Sequence, residues 1–589
     1  MNHRVVRIGG ASGSWGDSPM AIPQLLTAEV DYLIADYLAE ITMSLLARAK
    51  LKDPESGYPP DFVRDLGDNL DEIARRGIKF VTNAGGVNPQ GCAKALAKIA
   101  TDKGLALKIA VIEGDDMLAH AELLRPEGGG TLPKLLTANA YLGALPIRAA
   151  LAGGADIVIT GRAADSALAL GILMHEFGWT EDQYDLLAAG SLVGHVLECG
   201  PQATGGIHTD WQDVLGWENI GYPIAECSAD GSFVLTKPVG TGGLINRAVV
   251  SEQILYEVGD PAAYILPDVV ADFTDVSVED LGAERVRVSG AKGRAPTPDY
   301  KVSATWLDGH RAVATFSIVG PDAALKADRT ATALIARGDA LFAKHGFAGF
   351  SSTHAEALGA EAAYPPARQR RGTREVVLRL VVAHPDRRAL ELWSKEIGSV
   401  GISFAPGTTG IMGGRPRPTP VIRLLTCYVS KASLPAPRLI FDGGEPIDVP
   451  VPAGEVLQAT TRQSIVEPNV SSGKTVTVPL GRIAYARSGD KGNSSNIALI
   501  ARRPEYLPVI RSEVTPQRML DHFEGLVEGP VERFDAPGLL AVNFLLRNAL
   551  GGGGIASPRI DPQGKAFGQM SLEMMVEVPR ALLAGEEKA

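Results

Sequence analysis

Two short stretches hold the densest sets of residues that could do chemistry. In "VIEGDDMLAH" the adjacent carboxylates Asp115 and Asp116 follow directly on an apolar run, and in "TGRAADSALALG" Arg162, Asp165 and Ser166 follow another. Neighbouring carboxylates raise one another's pKa, which suits a general acid or base, or a divalent-cation ligand. A planar guanidinium takes carboxylate or phosphate through paired hydrogen bonds. Asp115, Asp116 and Asp165 are therefore the candidate catalytic carboxylates, and Arg162 with Ser166 the candidate anchor for an acidic substrate. The structural alternatives are helix capping for the aspartates and an internal Arg162–Asp165 ion pair.

Three further loops offer substrate contacts. "GGASGSWGDSP" brings Gly13, Trp15, Asp17 and Ser18 into one short turn, with glycines that let backbone approach a ligand closely. "TNAGGVNPQG" supplies Asn83 and Asn88, and "ARSGDKGNSSN" supplies Arg487, Asp490, Lys491 and Asn493, more charge than a plain hairpin needs. In "GHVLECGPQ", His195, Glu198 and Cys199 share a helical face at zinc-ligand spacing. No second ligand cluster accompanies them and HExxH is absent, so no metal ligand is assigned.

Nucleotide fingerprints fail. The opening glycines read GxxGxxG, with Ala11 where a dinucleotide fingerprint needs glycine, and GKT at Gly473–Thr475 has Pro468 in place of the first P-loop glycine. There is no NAD or ATP signature, and the cofactor is left unknown, a divalent cation being possible. The charge of −11 repels polyanions and argues against nucleic acid or a membrane surface as partner. The four cysteines are far apart, the N-terminus lacks an apolar targeting core, and no run of about 18 apolar residues occurs. A cytoplasmic protein with a small-molecule substrate is expected, and homo-oligomeric by the habit of such enzymes.

The elements that must position these residues alternate. Four apolar strand-like runs, "RVVRI", "IKFVT", "LKIAVIEG" and "ADIVIT", each end in a small polar loop that opens into a helical stretch. That is the mark of a parallel sheet covered on both faces, with its ligand at the carboxyl ends of the strands. The fold class is α/β: a Rossmann-like parallel-sheet lobe over about 1–210, an α+β lobe over about 210–455 and a linker at 456–478. A small ferredoxin-like α+β domain follows at 479–589, with helices near Pro516–Leu526 and Leu539–Leu550 and a last strand at Met570–Val578.

Taken together, "RIGGASGSWGDSP", "TNAGGVNP", "GDDM", "ITGRAADSALALG", "ECGPQATGG", "RVSGAKGRAPTPDYKVS" and "GGRPRPTPVIRL" resemble the long domain of the acyclic terpene utilisation (AtuA-type) family. "ARSGDKGNSSNIALIAR", "LLAVNFLLRNALGGGG" and "DPQGKAFGQ" resemble the ferredoxin-fold domain fused to it. The resemblance implies a role in catabolism of branched terpenes such as citronellol and geraniol through coenzyme A thioesters. It carries over no catalytic residues. The expectation is a lyase- or hydratase-type enzyme on a branched acyl-CoA or carboxylic acid; the alternative is a non-catalytic acyl-CoA-binding subunit of the same pathway.

Overall fold

The computed structural model describes residues 4–38, 40–458 and 473–583. Five short strands form its parallel centre: β1 (Val6–Gly10), β2 (Tyr32–Ala35), β3 (Lys79–Thr82), β4 (Ile109–Glu113) and β5 (Ile157–Thr160). They run side by side in the order β1-β2-β3-β5-β4. All four residues of β2 and of β5 are buried, which is why these runs are apolar at every position instead of alternating. β2 is a fifth strand beyond the four that the sequence pattern marks. Its four residues run on into "DYLAEITM", which reads as helix and masks it.

The expected lobes share this sheet. Ile224–Cys227 pairs antiparallel with β1 and Arg438–Phe441 pairs antiparallel with β4, so chain from the second lobe extends both edges to eleven strands. A second sheet is built on the 21-residue strand Asp299–Val319. The alternating Ala312, Ala314, Phe316 and Ile318 of that strand pack into one apolar cluster with Ala327, Leu334 and Phe342 of the helix Ala323–His345.

The small C-terminal unit holds four antiparallel strands, β6 (Ala484–Lys491), β7 (Ser494–Ala501), β8 (Val531–Ala536) and β9 (Ala541–Leu546), in the order β6-β7-β9-β8. β9 corrects the helix expected near Leu539–Leu550. "AVNFLL" is buried throughout and hydrogen-bonds to strands on both sides; a short continuous apolar run fits helix and buried strand equally, and here cross-strand pairing decides. The last strand is Met575–Pro579, paired with Thr475–Pro479, while Phe567–Ser571 is helical. Of the expected linker, 459–472 lies outside the described residues. One face of this sheet packs on its own helices through Ile497, Leu499 and Phe544. The other turns Ala498, Ile500 and Ala541 into the main core. Among the described residues no helix is long and apolar enough to cross a membrane.

Two contacts tie the strand ends together. Asp115, at the end of β4, accepts hydrogen bonds on one oxygen from Arg162 N and Asn139 Nδ2, both at 2.8 Å. Behind β5, helices α1 (Ala167–Phe177) and α2 (Tyr184–Leu197) are in close contact. A Cβ on Gly194 of α2 would lie 2.4 Å from the carbonyl oxygen of Ser166. Gly→Ala inside a helix otherwise gains about 1 kcal/mol; at Gly194 it is expected to cost about 1–3 kcal/mol through overpacking, read as a lower thermal midpoint. Burial pushes the Asp115 carboxyl up to about 6. The native carboxyl then holds its proton more tightly than the unfolded one, so its contribution to stability is full at low pH and is lost as pH rises through about 6. Asp115→Asn keeps an oxygen for both donors and does not ionise. Its stability relative to wild type should rise by roughly 2–3 kcal/mol between pH 4 and pH 7.5 in urea unfolding.

Candidate functional site

The loops that follow β1, β2 and β5 converge with residues 198–202, 256–267 and 297–301 and with two loops of the small domain around one cavity of about 550 Å³. It lies outside the carboxyl ends of the parallel strands, where open α/β sheets bind ligands. Of the residues singled out in the sequence, Gly13, Trp15, Arg162, Asp165, Asp490 and Lys491 line it, together with Glu198 and Cys199.

Arg162 lies on the floor, with 4% of its side chain exposed. Its Nη1 meets Asp165 Oδ1 at 2.6 Å and its guanidinium stacks 4.3 Å from the Tyr141 ring centroid. Burial works against its charge, but Asp165, Tyr141 and Asp36 outweigh that and hold it firmly protonated. The internal ion pair with Asp165 is thus formed, and both partners still face the cavity.

Asp36 is a cavity residue that the sequence reading missed. It follows β2 directly and lines the cavity. Asn83 Nδ2 donates to its Oδ1 at 2.5 Å, and Asn83 Oδ1 accepts from Tyr37 N at 2.8 Å. Burial first, then the negative charge of Asp165, push the Asp36 carboxyl well above the usual range, against the pull of Arg162 and the Asn83 hydrogen bond. The available signal was an apolar run, "YLIA", stopped by an aspartate at a rim position. Tyr141, Tyr256, Glu257, Tyr264, Lys301 and Lys565 also line the cavity, at positions with no recognisable sequence spacing.

The remaining candidates do not line the cavity. Asp17 shapes the first loop, accepting from Gly13 N at 2.9 Å and from Tyr222 Oη at 2.6 Å. Ser18 is exposed and its Oγ accepts from Met20 N. Asn83 positions Asp36. Asn88 caps the helix Pro89–Asp102 through Gly91 N and is not part of the lining. Asp115 holds the Arg162 backbone from beneath, whereas Asp116 is exposed and bonds Leu118 N. Ser166 is buried against Gly194. Arg487 reaches Gln202 and the Ile207 carbonyl and packs 4.5 Å over the Tyr256 ring. Asn493 closes a turn onto Gly552 N.

His195 and Cys199 do not form a ligand pair. Both imidazole nitrogens are taken, Nδ1 by Glu198 and Nε2 by the Ile254 carbonyl, each at 3.0 Å. Cys199 reaches the cavity, but burial and the nearby Glu198 hold its thiol well above its ordinary range, unlike an activated nucleophile. Among the described residues no group of three or more His, Cys, Asp or Glu has an arrangement that could hold a metal ion.

Arg162 with its two carboxyl neighbours can fix an acidic or carbonyl group and exchange protons beside it. Neither the curated proteins nor the solved structures offer a match to the chain. Two family models do. One, described as acyclic terpene utilisation family protein AtuA, covers residues 6–437, and the other, the AtuA ferredoxin-like domain, covers 478–577. With well over half of its length matched by the first, the chain belongs to the AtuA family of acyclic terpene utilisation and carries that family's ferredoxin-like domain behind it.

Proposed function

We propose that the chain is an enzyme of branched-acyl catabolism that adds water to, or eliminates it from, the carbons beside a carboxyl or thioester carbonyl. The observation that carries this reading is the pair of carboxyls on the cavity floor: Asp36, held toward its protonated form by burial and by Asp165, and Asp165, paired with Arg162 at 2.6 Å. A carboxyl held toward its protonated form beside an ion-paired one supplies an acid and a base in one site.

In the elimination direction Asp165 takes the proton from the carbon next to the carbonyl. The C–H electron pair forms the new double bond, the neighbouring C–O bond breaks, and the Asp36 proton goes to the departing hydroxyl, which leaves as water. Hydration is the reverse, and neither direction needs an oxidant or reductant. Leu38, Leu45, Leu266 and Pro267 give the cavity an apolar side for a branched chain. The volume of about 550 Å³ sits within the range of roughly 300–1,000 Å³ usual for small-molecule sites, enough for the acyl part of a thioester.

The test is to incubate the purified chain with branched C5 to C10 acids and their coenzyme A esters and to follow product masses 18 Da apart, with Asp36→Asn alongside. Wild type should convert at least one ester, and Asp36→Asn should lose about 10²–10⁴-fold in turnover while still binding it. Binding without turnover by wild type would make the chain a carrier and sink the enzyme reading. The pH profile supplies a second check. The acid must be protonated, so turnover should fall on the alkaline side, with a midpoint above the ordinary range of an aspartate; a rate that is flat or still rising there would contradict the role given to Asp36.

A further inference from the structure

The cavity wall also contains a backbone that glycine would suit and a glutamate occupies. Glu257 has φ +57°, the left-handed region that non-glycine residues seldom enter. Two fully buried carboxamides from the small domain hold it there. Asn496 Oδ1 accepts from Glu257 N at 3.0 Å while its Nδ2 donates to the Leu255 carbonyl at 2.8 Å and to Asn543 Oδ1 at 3.1 Å. Asn543 Nδ2 donates to the Val258 and Gly259 carbonyls at 2.8 and 2.6 Å. Such strain persists only where the surroundings over-determine it, commonly at functional sites.

The held segment presents Tyr256 and Glu257 to the cavity, where Lys565 of the small domain meets both. Lys565 Nζ bonds Tyr256 Oη and lies 3.2 Å from Glu257 Oε1; Asp490 Oδ1, at 3.6 Å, is beyond hydrogen-bond length. An ammonium has three donors, so one is left for a ligand. Arg487, packed 4.5 Å over the Tyr256 ring, fixes the phenol from behind.

Resting on the reading of the cavity given above, we propose that the Lys565 ammonium, held by Tyr256 Oη, forms an oxyanion subsite that receives the carbonyl or carboxylate oxygen of the acyl substrate. Glu257 holds the ammonium, and Asn496 and Asn543 are positioning residues. Donors preset where negative charge gathers are a large source of catalysis in a closed site. The small domain is then a working part of the site.

The test uses the full chain with citronellic acid and its coenzyme A thioester as probes. Lysines are pulse-labelled with acetic anhydride and read by mass spectrometry. A probe should slow labelling of Lys565 several-fold and leave Lys98, 75% exposed on a helix, unchanged. Lys565→Met should weaken probe binding at least tenfold. Glu257→Gly should raise the thermal midpoint, because glycine takes the left-handed backbone freely, and weaken the probes equally. Asn543→Ala should weaken them in wild type but add nothing in the Glu257→Gly chain, a non-additivity that general loss of packing would not produce. Absence of protection by either probe, or full binding by Lys565→Met, overturns the subsite. Protection without turnover upholds the subsite while sinking the acid–base reading, and turnover that Lys565→Met leaves intact does the reverse.

Discussion

A guanidinium taken out of water must be compensated, and the compensation of Arg162 organises the molecule. Its backbone is fixed by Asp115, its side chain by Asp165 and by the face of Tyr141. These partners come from the end of β4, from the loop after β5 and from the turn after the strand Leu135–Ala140, so one buried residue, through backbone and side chain, gathers three separate stretches of chain. Burying an ion without such partners would cost several kcal/mol. The same arrangement brings a second carboxyl, Asp36, close to Asp165. Burial first, and then the charge of Asp165, push the Asp36 carboxyl upward, toward its protonated form.

The other half of the cavity depends on a sheet buried on both faces. β7 and β9 present Asn496, Ala498, Ile500, Ala541 and Asn543 toward the first unit, and period-two alternation puts all five on one side. Beside them Arg502 holds Asp210 through two hydrogen bonds at 2.6 and 2.7 Å, and Thr209 exchanges both bonds with the Ala486 backbone at 3.0 Å. Arg487 belongs to this junction, which explains why a cation that looks fit for phosphates in sequence is spent on Gln202, Ile207 and Tyr256 instead.

Four of the five parallel strands are legible as apolar runs that end in polar loops, because a strand covered on both faces must be apolar throughout. β2 is not legible, since four residues joined to a helical pattern give no period to read, and Asp36 is lost with it. β9 is misread for a related reason: a run such as "AVNFLL" fits a buried strand and a buried helix alike. At the site, the charged residues next to the recognised strands can be read, including Arg162 and Asp165. Glu257, Tyr256 and Lys565 cannot, because residues more than 300 positions apart in chain meet only after the two units have docked. Asn88 and Asp116 show the converse: polar residues at strand ends also cap helices and close turns, and residue type alone does not separate those duties.

The central claim is that the cavity floor keeps a protonated carboxyl beside an ion-paired one. Infrared difference spectroscopy of wild type minus Asp36→Asn at pH 7 tests it most directly, because a protonated carboxyl absorbs apart from carboxylate. A protonated Asp36 gives a carboxylic-acid carbonyl band in wild type that vanishes in the variant and fades as pH is raised. A carboxylate band alone, unchanged in position down to pH 5, would contradict it.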